Sequence, residues 1–117
     1  MGKLTTHVLD TSAGRPAGGL RIALCRLHDG VATLVNEQTT GPDGRCAAAL
    51  LEGSGFSAGR YSLTFHVGDY FRTAGAALSE PAFIEEAVVH FGIGWPDQHY
   101  HVPLLITPWS YAVYRGG

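Results

Sequence analysis

Between Arg60 and Val67 the chain alternates without a lapse: Tyr61, Leu63, Phe65 and Val67 are large and apolar, while Arg60, Ser62, Thr64 and His66 are polar. A period of two belongs to an extended backbone, whose successive side chains point to opposite faces. The segment therefore reads as a half-buried strand whose apolar face needs a covering layer.

Other segments supply it. From Leu4 to Asp10, residues Thr5, His7 and Leu9 share one face and Leu4, Thr6 and Val8 the other. Leu20 to Leu27 offers Leu20, Ile22 and Leu24 on a common face, and His28-Asp29-Gly30 links it as a hairpin to a strand over Val31 to Gln38. Gly41-Pro42-Asp43-Gly44 suits a type I turn and delivers Arg45 at the mouth of a short strand, Cys46 to Leu51. Ala87, Val89, Phe91 and Ile93 alternate again, and two closing strands turn around Thr107-Pro108. In the first of these Tyr100, Val102, Leu104 and Ile106 face the core, and Pro103, which has no N–H to donate, argues for an edge position or a local break. The only predicted helix is Tyr70 to Ala74, capped by Asp69 and ended near Gly75. About eight short strands and one small helix make an antiparallel β-sandwich of a single domain, residues 1–117.

Charged residues are 15% of the chain, against roughly 25% in an ordinary domain, which favours burial of surface between subunits. The formal charge of −2 with interspersed signs leaves no basic stripe for nucleic acid, and nothing favours a membrane. Cys25 and Cys46 form neither a CxxC pair nor a disulfide framework. With no apolar signal region after Met1, the chain reads as cytoplasmic.

If the first and the last two strands share a sheet, its outward face gathers His7 and Leu9, then His99, His101, Pro103 and Leu105, then Ala112 and Tyr114. A patch of histidines, a tyrosine and aliphatics is not left bare in water. His28, His66 and His90 lie outside it and read as structural or merely exposed. A metal site built from His7, His99 and His101 lacks a carboxylate or CxxC signature, and no GxSxG elbow marks a nucleophile. General acid-base hydrolysis asks only for a neutral imidazole and a cation for the oxyanion. His7, His101 and Arg45 are of those types.

The run Leu4-Thr5-Thr6-His7-Val8-Leu9-Asp10 with Gly14-Arg15-Pro16-Ala17, the internal Asp43-Gly44-Arg45, and the closing His99-Tyr100-His101-Val102-Pro103-Leu104-Leu105 with Tyr114-Arg115-Gly116 resemble the 5-hydroxyisourate hydrolases, transthyretin-like enzymes of urate breakdown. The resemblance implies a transthyretin-like sandwich of two four-stranded sheets with one short helix, assembled as a homotetramer, a dimer of dimers around a channel. It implies hydrolysis of 5-hydroxyisourate to 2-oxo-4-hydroxy-4-carboxy-5-ureidoimidazoline with no metal or organic cofactor. His7, Arg45 and His101 match the family's catalytic positions, and Tyr114, Arg115, Gly117, Leu9 and Pro103 are the candidate substrate-binding positions. Gly117 stands where the family usually has serine. The competing expectation is a carrier of the same fold that binds a small aromatic ligand without chemistry.

Overall fold

In a computed structural model, which describes residues 2–116, eight strands form two four-stranded sheets. The strands are β1 (Leu4–Asp10), β2 (Arg15–Pro16), β3 (Arg21–His28), β4 (Val31–Thr39), β5 (Gly59–Phe65), β6 (Ala87–Ile93), β7 (Tyr100–Thr107) and β8 (Ser110–Val113). One sheet runs β2-β1-β7-β8 and the other β4-β3-β5-β6, with helix α1 (Val67–Thr73) after β5 and a 3-10 turn at Gly53–Gly55. The expected sandwich stands, with β1 and β7 as a parallel pair within it. Parallel neighbours cannot be joined by a tight turn; here the chain visits the whole second sheet between them.

The inner faces meet as the alternation requires. Leu4, Val8, Val102, Leu104 and Ile106 from the first sheet pack against Ile22, Leu24, Tyr61, Leu63, Phe65 and Ala87 from the second, all buried. Each buried Val, Leu, Ile or Phe side chain among them contributes about 1.5–3 kcal/mol on leaving water. The turn between β3 and β4 is a tight one, with Asp29 at φ 50° and Gly30 at φ 76°, the conformation that suits the right-handed twist of a hairpin. β1 itself is not hairpin-linked to β3; the two belong to different sheets.

Two local expectations are corrected. Cys46–Leu51 is not a strand: only isolated bridges, His7 to Arg45 and Leu4 to Leu51, tie this segment to β1. The intervening Ala47-Ala48-Ala49 has no alternation to anchor one face, so the segment bows away between its two attachments. The pairing place beside β1 at its other end is taken by Arg15–Pro16. Helix α1 begins at Val67, with His66 as its N-cap, ahead of Asp69. Val67, Tyr70 and Phe71 are all buried, so the apolar period lengthens from two to three and four at Val67. The helix ends at Ala74 with Gly75 at φ 81°; Gly75 N donates to Arg72 O and Ala76 N to Phe71 O, the Schellman closure.

Pro103 meets the second of its two expectations, a local break, because β7 is an interior strand, between β1 and β8. The backbone groups of Val102 and Ile106 point toward β1, where Val102 O accepts from Thr6 Oγ1 and Ile106 O from Thr11 N. Pro103, one residue out of phase, points toward β8. There the ladder stops at Leu104–Val113 and resumes only at His101–Gly116, so the missing N–H falls in the gap.

The end of β1 is tied to α1 by Asp10, 2% exposed. One carboxylate oxygen accepts from Ser12 N, Ser12 Oγ and Ala13 N, and the other from Tyr70 Oη at 2.9 Å. A hydrogen bond to a buried charge is worth about 1.5–3 kcal/mol. Tyr70→Phe should therefore lower the unfolding free energy by about 2 kcal/mol in urea denaturation while leaving the β-sheet circular dichroism unchanged.

Candidate functional site

The register of β1, β7 and β8 sets the outward residues in rows. Thr5 pairs with His101, His7 with Pro103, and Leu9 with Leu105; on the far side Leu105 pairs with Ala112, and His101 bridges to Gly116. On the near side His7 bridges to Arg45. Cross-strand partners share a face, so Thr5, His7, Arg45 and His101 stand on one surface, with Tyr114 in line with Pro103. The structure thus brings His7, Arg45 and His101 together, across a stretch of sequence that joins both ends of the chain to its middle.

Two glycines fix the imidazoles from behind. Gly44, at φ 78°, is the last residue of the Gly41-Pro42-Asp43-Gly44 turn, whose closing bond runs from Gly44 N to Gly41 O at 2.9 Å. A Cβ at Gly44 would stand 2.4 Å from Val8 O and 3.2 Å from His7 Cδ2. Gly116 is pressed as closely on the other ring: a Cβ there would lie 3.0 Å from His101 Cδ2. Gly116 N donates to His101 O at 2.6 Å, which seats the chain end against β7.

The hydrogen bonds orient the two rings differently. His7 Nε2 lies 2.8 Å from Asp43 O. A carbonyl only accepts, so Nε2 carries the proton and Nδ1 is left for other work. His101 is held at the opposite atom, Nδ1, by Thr5 Oγ1 at 2.8 Å, and its Nε2 has no hydrogen-bond partner among the described residues. His101 is half-buried, and that burial pulls its pKa below the ordinary imidazole value; the Arg45 guanidinium, His99 and His7 push it the same way. Its neutral form therefore persists into mildly acidic solution. Arg45 N donates to Asp43 Oδ1 at 3.0 Å, which holds the turn, and its guanidinium has no side-chain partner among the described residues. A hollow of about 240 Å³ beside it is lined by Thr5, Arg45, Cys46 and the Ala47–Ala49 bow.

The remaining candidates are distributed unequally. Leu9 and Pro103 lie on the same outward face, and Tyr114 is 58% exposed at its margin. Arg115 is turned away: its guanidinium lies 3.9 Å from the Tyr100 ring centroid and donates to Gln98 Oε1 and His99 O. It anchors the chain end from the sheet's other side. Gly117 lies outside the described residues. His66 caps α1 and contacts Glu86, and His28 and His90 border a hollow of about 720 Å³ on the other sheet. That larger hollow contains Arg26, whose guanidinium is already committed to Ser57, Tyr61 and Ala58, so its size does not mark the chemistry. Among the described residues no three His, Cys, Asp or Glu side chains converge as a metal-ligand group.

Sequence reasoning passed over Thr5, Gly44 and Gly116 as parts of the site. Thr5 was on the right face and carried a signal only in retrospect, being two residues from His7 and paired with His101. Glycines announce themselves by nothing but their place beside a functional residue.

A family model described as HIUase/Transthyretin family matches residues 4–116. A curated relative, 5-hydroxyisourate hydrolase 2 of Rhizobium meliloti (strain 1021), is 54% identical over 115 residues, covering 98% of this chain and 96% of its own. A solved structure of Klebsiella pneumoniae 5-hydroxyisourate hydrolase superposes with a TM-score of 0.82 at 35% identity, covering 100% of both chains. A structure of (S)-allantoin synthase gives a TM-score of 0.93 at 46% identity, covering 99% of this chain and 44% of that longer one.

The packing behind His7 makes a sharp expectation. Gly44→Ala combines a left-handed backbone with a contact on Val8 O that no side chain can relieve, so it should cost at least about 2 kcal/mol of stability and displace His7. Thermal unfolding and a shifted His7 ring resonance in NMR are the readouts; an unchanged melting temperature would contradict the packing.

Proposed function

The chain belongs to the HIUase/transthyretin family, and on that premise we propose that it hydrolyses 5-hydroxyisourate to 2-oxo-4-hydroxy-4-carboxy-5-ureidoimidazoline in urate degradation, with His7, Arg45 and His101 as the catalytic residues. The observation that carries the reading is His101: a half-buried imidazole whose Nε2 has no partner among the described residues, whose protonated form is disfavoured by burial and by the neighbouring Arg45, and which is set on one face with His7. A base must be unprotonated at working pH and near its water. His101 meets the first condition by its surroundings.

The reaction adds water across a ring C–N bond next to a carbonyl. His101 takes a proton from water at Nε2 as the oxygen attacks the carbonyl carbon. The guanidinium of Arg45, without a side-chain partner among the described residues, receives the charge that develops on the carbonyl oxygen. His7, pinned through Nε2 to Asp43 O, presents the lone pair of Nδ1 and orients the attacking water, and the imidazolium of His101 then returns its proton to the departing ring nitrogen. The oxygen of water ends on carbon and a proton on nitrogen, so no electron acceptor enters the balance. Leu9, Pro103 and Tyr114 supply apolar and aromatic walls for a compact bicyclic substrate. Arg115 contributes at one remove, by holding Tyr114 and Gly116 in place.

We also read the site as facing a channel in a homotetramer. The support is the outer edge of β8, unpaired in the single chain, together with exposed Tyr111, Val113 and Tyr114 beside it. An apolar strand edge of that kind invites a partner. Light scattering should return about four times the 12.4 kDa chain mass; a stable monomer would remove the channel.

Generating 5-hydroxyisourate in place from urate with urate oxidase, and following its ultraviolet absorbance, tests the activity directly. Decay no faster than the spontaneous rate would sink the reading. His7→Ala, Arg45→Ala and His101→Ala should each depress kcat/KM by about 100-fold or more, whereas His28→Ala and His66→Ala should leave it within about twofold. The pH profile adds a sign. Arg45 disfavours the imidazolium of His101, so its removal lets the pKa rise; in Arg45→Gln the acid limb of kcat/KM should move to higher pH, on top of the loss in rate.

A further inference from the structure

His99 stands on the outward face, yet no step above uses it. Its Nε2 lies 3.2 Å from Thr5 Oγ1, the same hydroxyl that meets His101 Nδ1 at 2.8 Å. A threonine hydroxyl has one proton to give and lone pairs to receive. Between two ring nitrogens it can donate to only one, accepting from the other, or it can accept from both. The two arrangements in which it donates to a ring are chemically opposite for His101. If Thr5 donates to His101 Nδ1, the ring proton sits on Nε2 and the free nitrogen cannot act as a base. If Thr5 donates to His99 Nε2, it accepts from His101 Nδ1–H, and Nε2 carries a lone pair.

We infer that Thr5 is a positioning residue for the proposed hydrolysis, and that His99 acts through it: by accepting the Thr5 proton, His99 fixes His101 in the tautomer whose Nε2 can take a proton from water. The inference rests on His101 being the general base. Its reach is wider than orientation, because the imidazolium formed when Nε2 is protonated already has its Nδ1–H on an acceptor, and no group in the chain need turn over during the step. A base oriented by a second group and that group by a third is the logic of hydrolytic triads; here the middle position is a hydroxyl and the outer one a second imidazole. The β1–β7 register places Thr5 directly opposite His101, and the extended His99-Tyr100-His101 run brings both rings to the same hydroxyl.

The direct test needs no substrate. In protein labelled with 15N-histidine, two-bond proton–nitrogen correlations at pH above the His101 transition report which ring nitrogen carries the proton. His101 is expected with hydrogen on Nδ1 and an unprotonated Nε2; hydrogen on Nε2 in the unaltered protein overturns the inference. Because this readout is independent of turnover, a correct tautomer in an inactive protein would defeat the hydrolase reading alone, and a wrong tautomer in an active one would defeat this inference alone.

Kinetics supplies a second arm. Thr5→Val keeps the shape and removes the hydroxyl, so His101 samples both tautomers and kcat should fall about 10-fold with KM little changed, while Thr5→Ser restores most of it. His99→Phe removes the acceptor and lets Thr5 donate to His101 Nδ1, stabilising the inactive tautomer, so it should be at least as harmful as Thr5→Val. The double variant should be no worse than Thr5→Val alone, since without the hydroxyl His99 has no means of acting. Effects that multiply, or a Thr5→Val enzyme with unaltered kcat, would show that the three groups are not coupled.

Discussion

The structure hangs on the parallel pairing of β1 with β7. One register, running from Leu4 opposite Tyr100 to Asp10 opposite Ile106, decides which side chains see the core and which see the outside. A slip of one residue would turn Thr5, His7 and His101 inward and expose Leu4, Val8 and Leu104, whose burial is complete. The apolar energy of the inner face thus enforces the geometry of the outer one. Chemistry that needs a fixed spacing between a base, a cation and a second imidazole is referred to the core for its precision.

Much of this was legible in the alternation. Leu4–Asp10 and Ala87–Ile93 match their expected bounds, and β3, β4 and β5 differ from expectation by a residue or two at their ends. The outward set of His7, Leu9, His101 and Pro103 followed from parity alone. What escaped was decided by something other than period. The Cys46–Leu51 segment contains apolar residues at every position and so carries no phase; its path is set by where β1 offers free backbone groups, at Leu4 and at Val8, whose N donates to Gly44 O. The early start of α1 was hidden because Val67 satisfies both the strand period it ends and the helical period it begins.

Arg115 shows a different limit. Parity places it opposite Tyr114, and a cation near a proposed oxyanion site invites a role in binding. The ring of Tyr100 and the acceptors at Gln98 and His99 claim the guanidinium first. Sequence lists which groups are chemically able; competition between partners, which only three dimensions display, settles which are free. Arg45 and Arg115 are the same residue type at opposite outcomes of that competition.

Pro103 carries a consequence for motion. Since it breaks the ladder between Leu104–Val113 and His101–Gly116, the segment from Tyr114 to Gly116 is not zipped to the sheet; it is buttoned, by Gly116 N on His101 O and by Arg115 over Tyr100. A stacked, exposed guanidinium and a few hydrogen bonds amount to about 2–3 kcal/mol, far below the global stability of a domain. The wall beside His101 is then a unit of local unfolding whose backbone amides exchange long before those of β7, and whose release leaves the base itself in place on a strand that does not open.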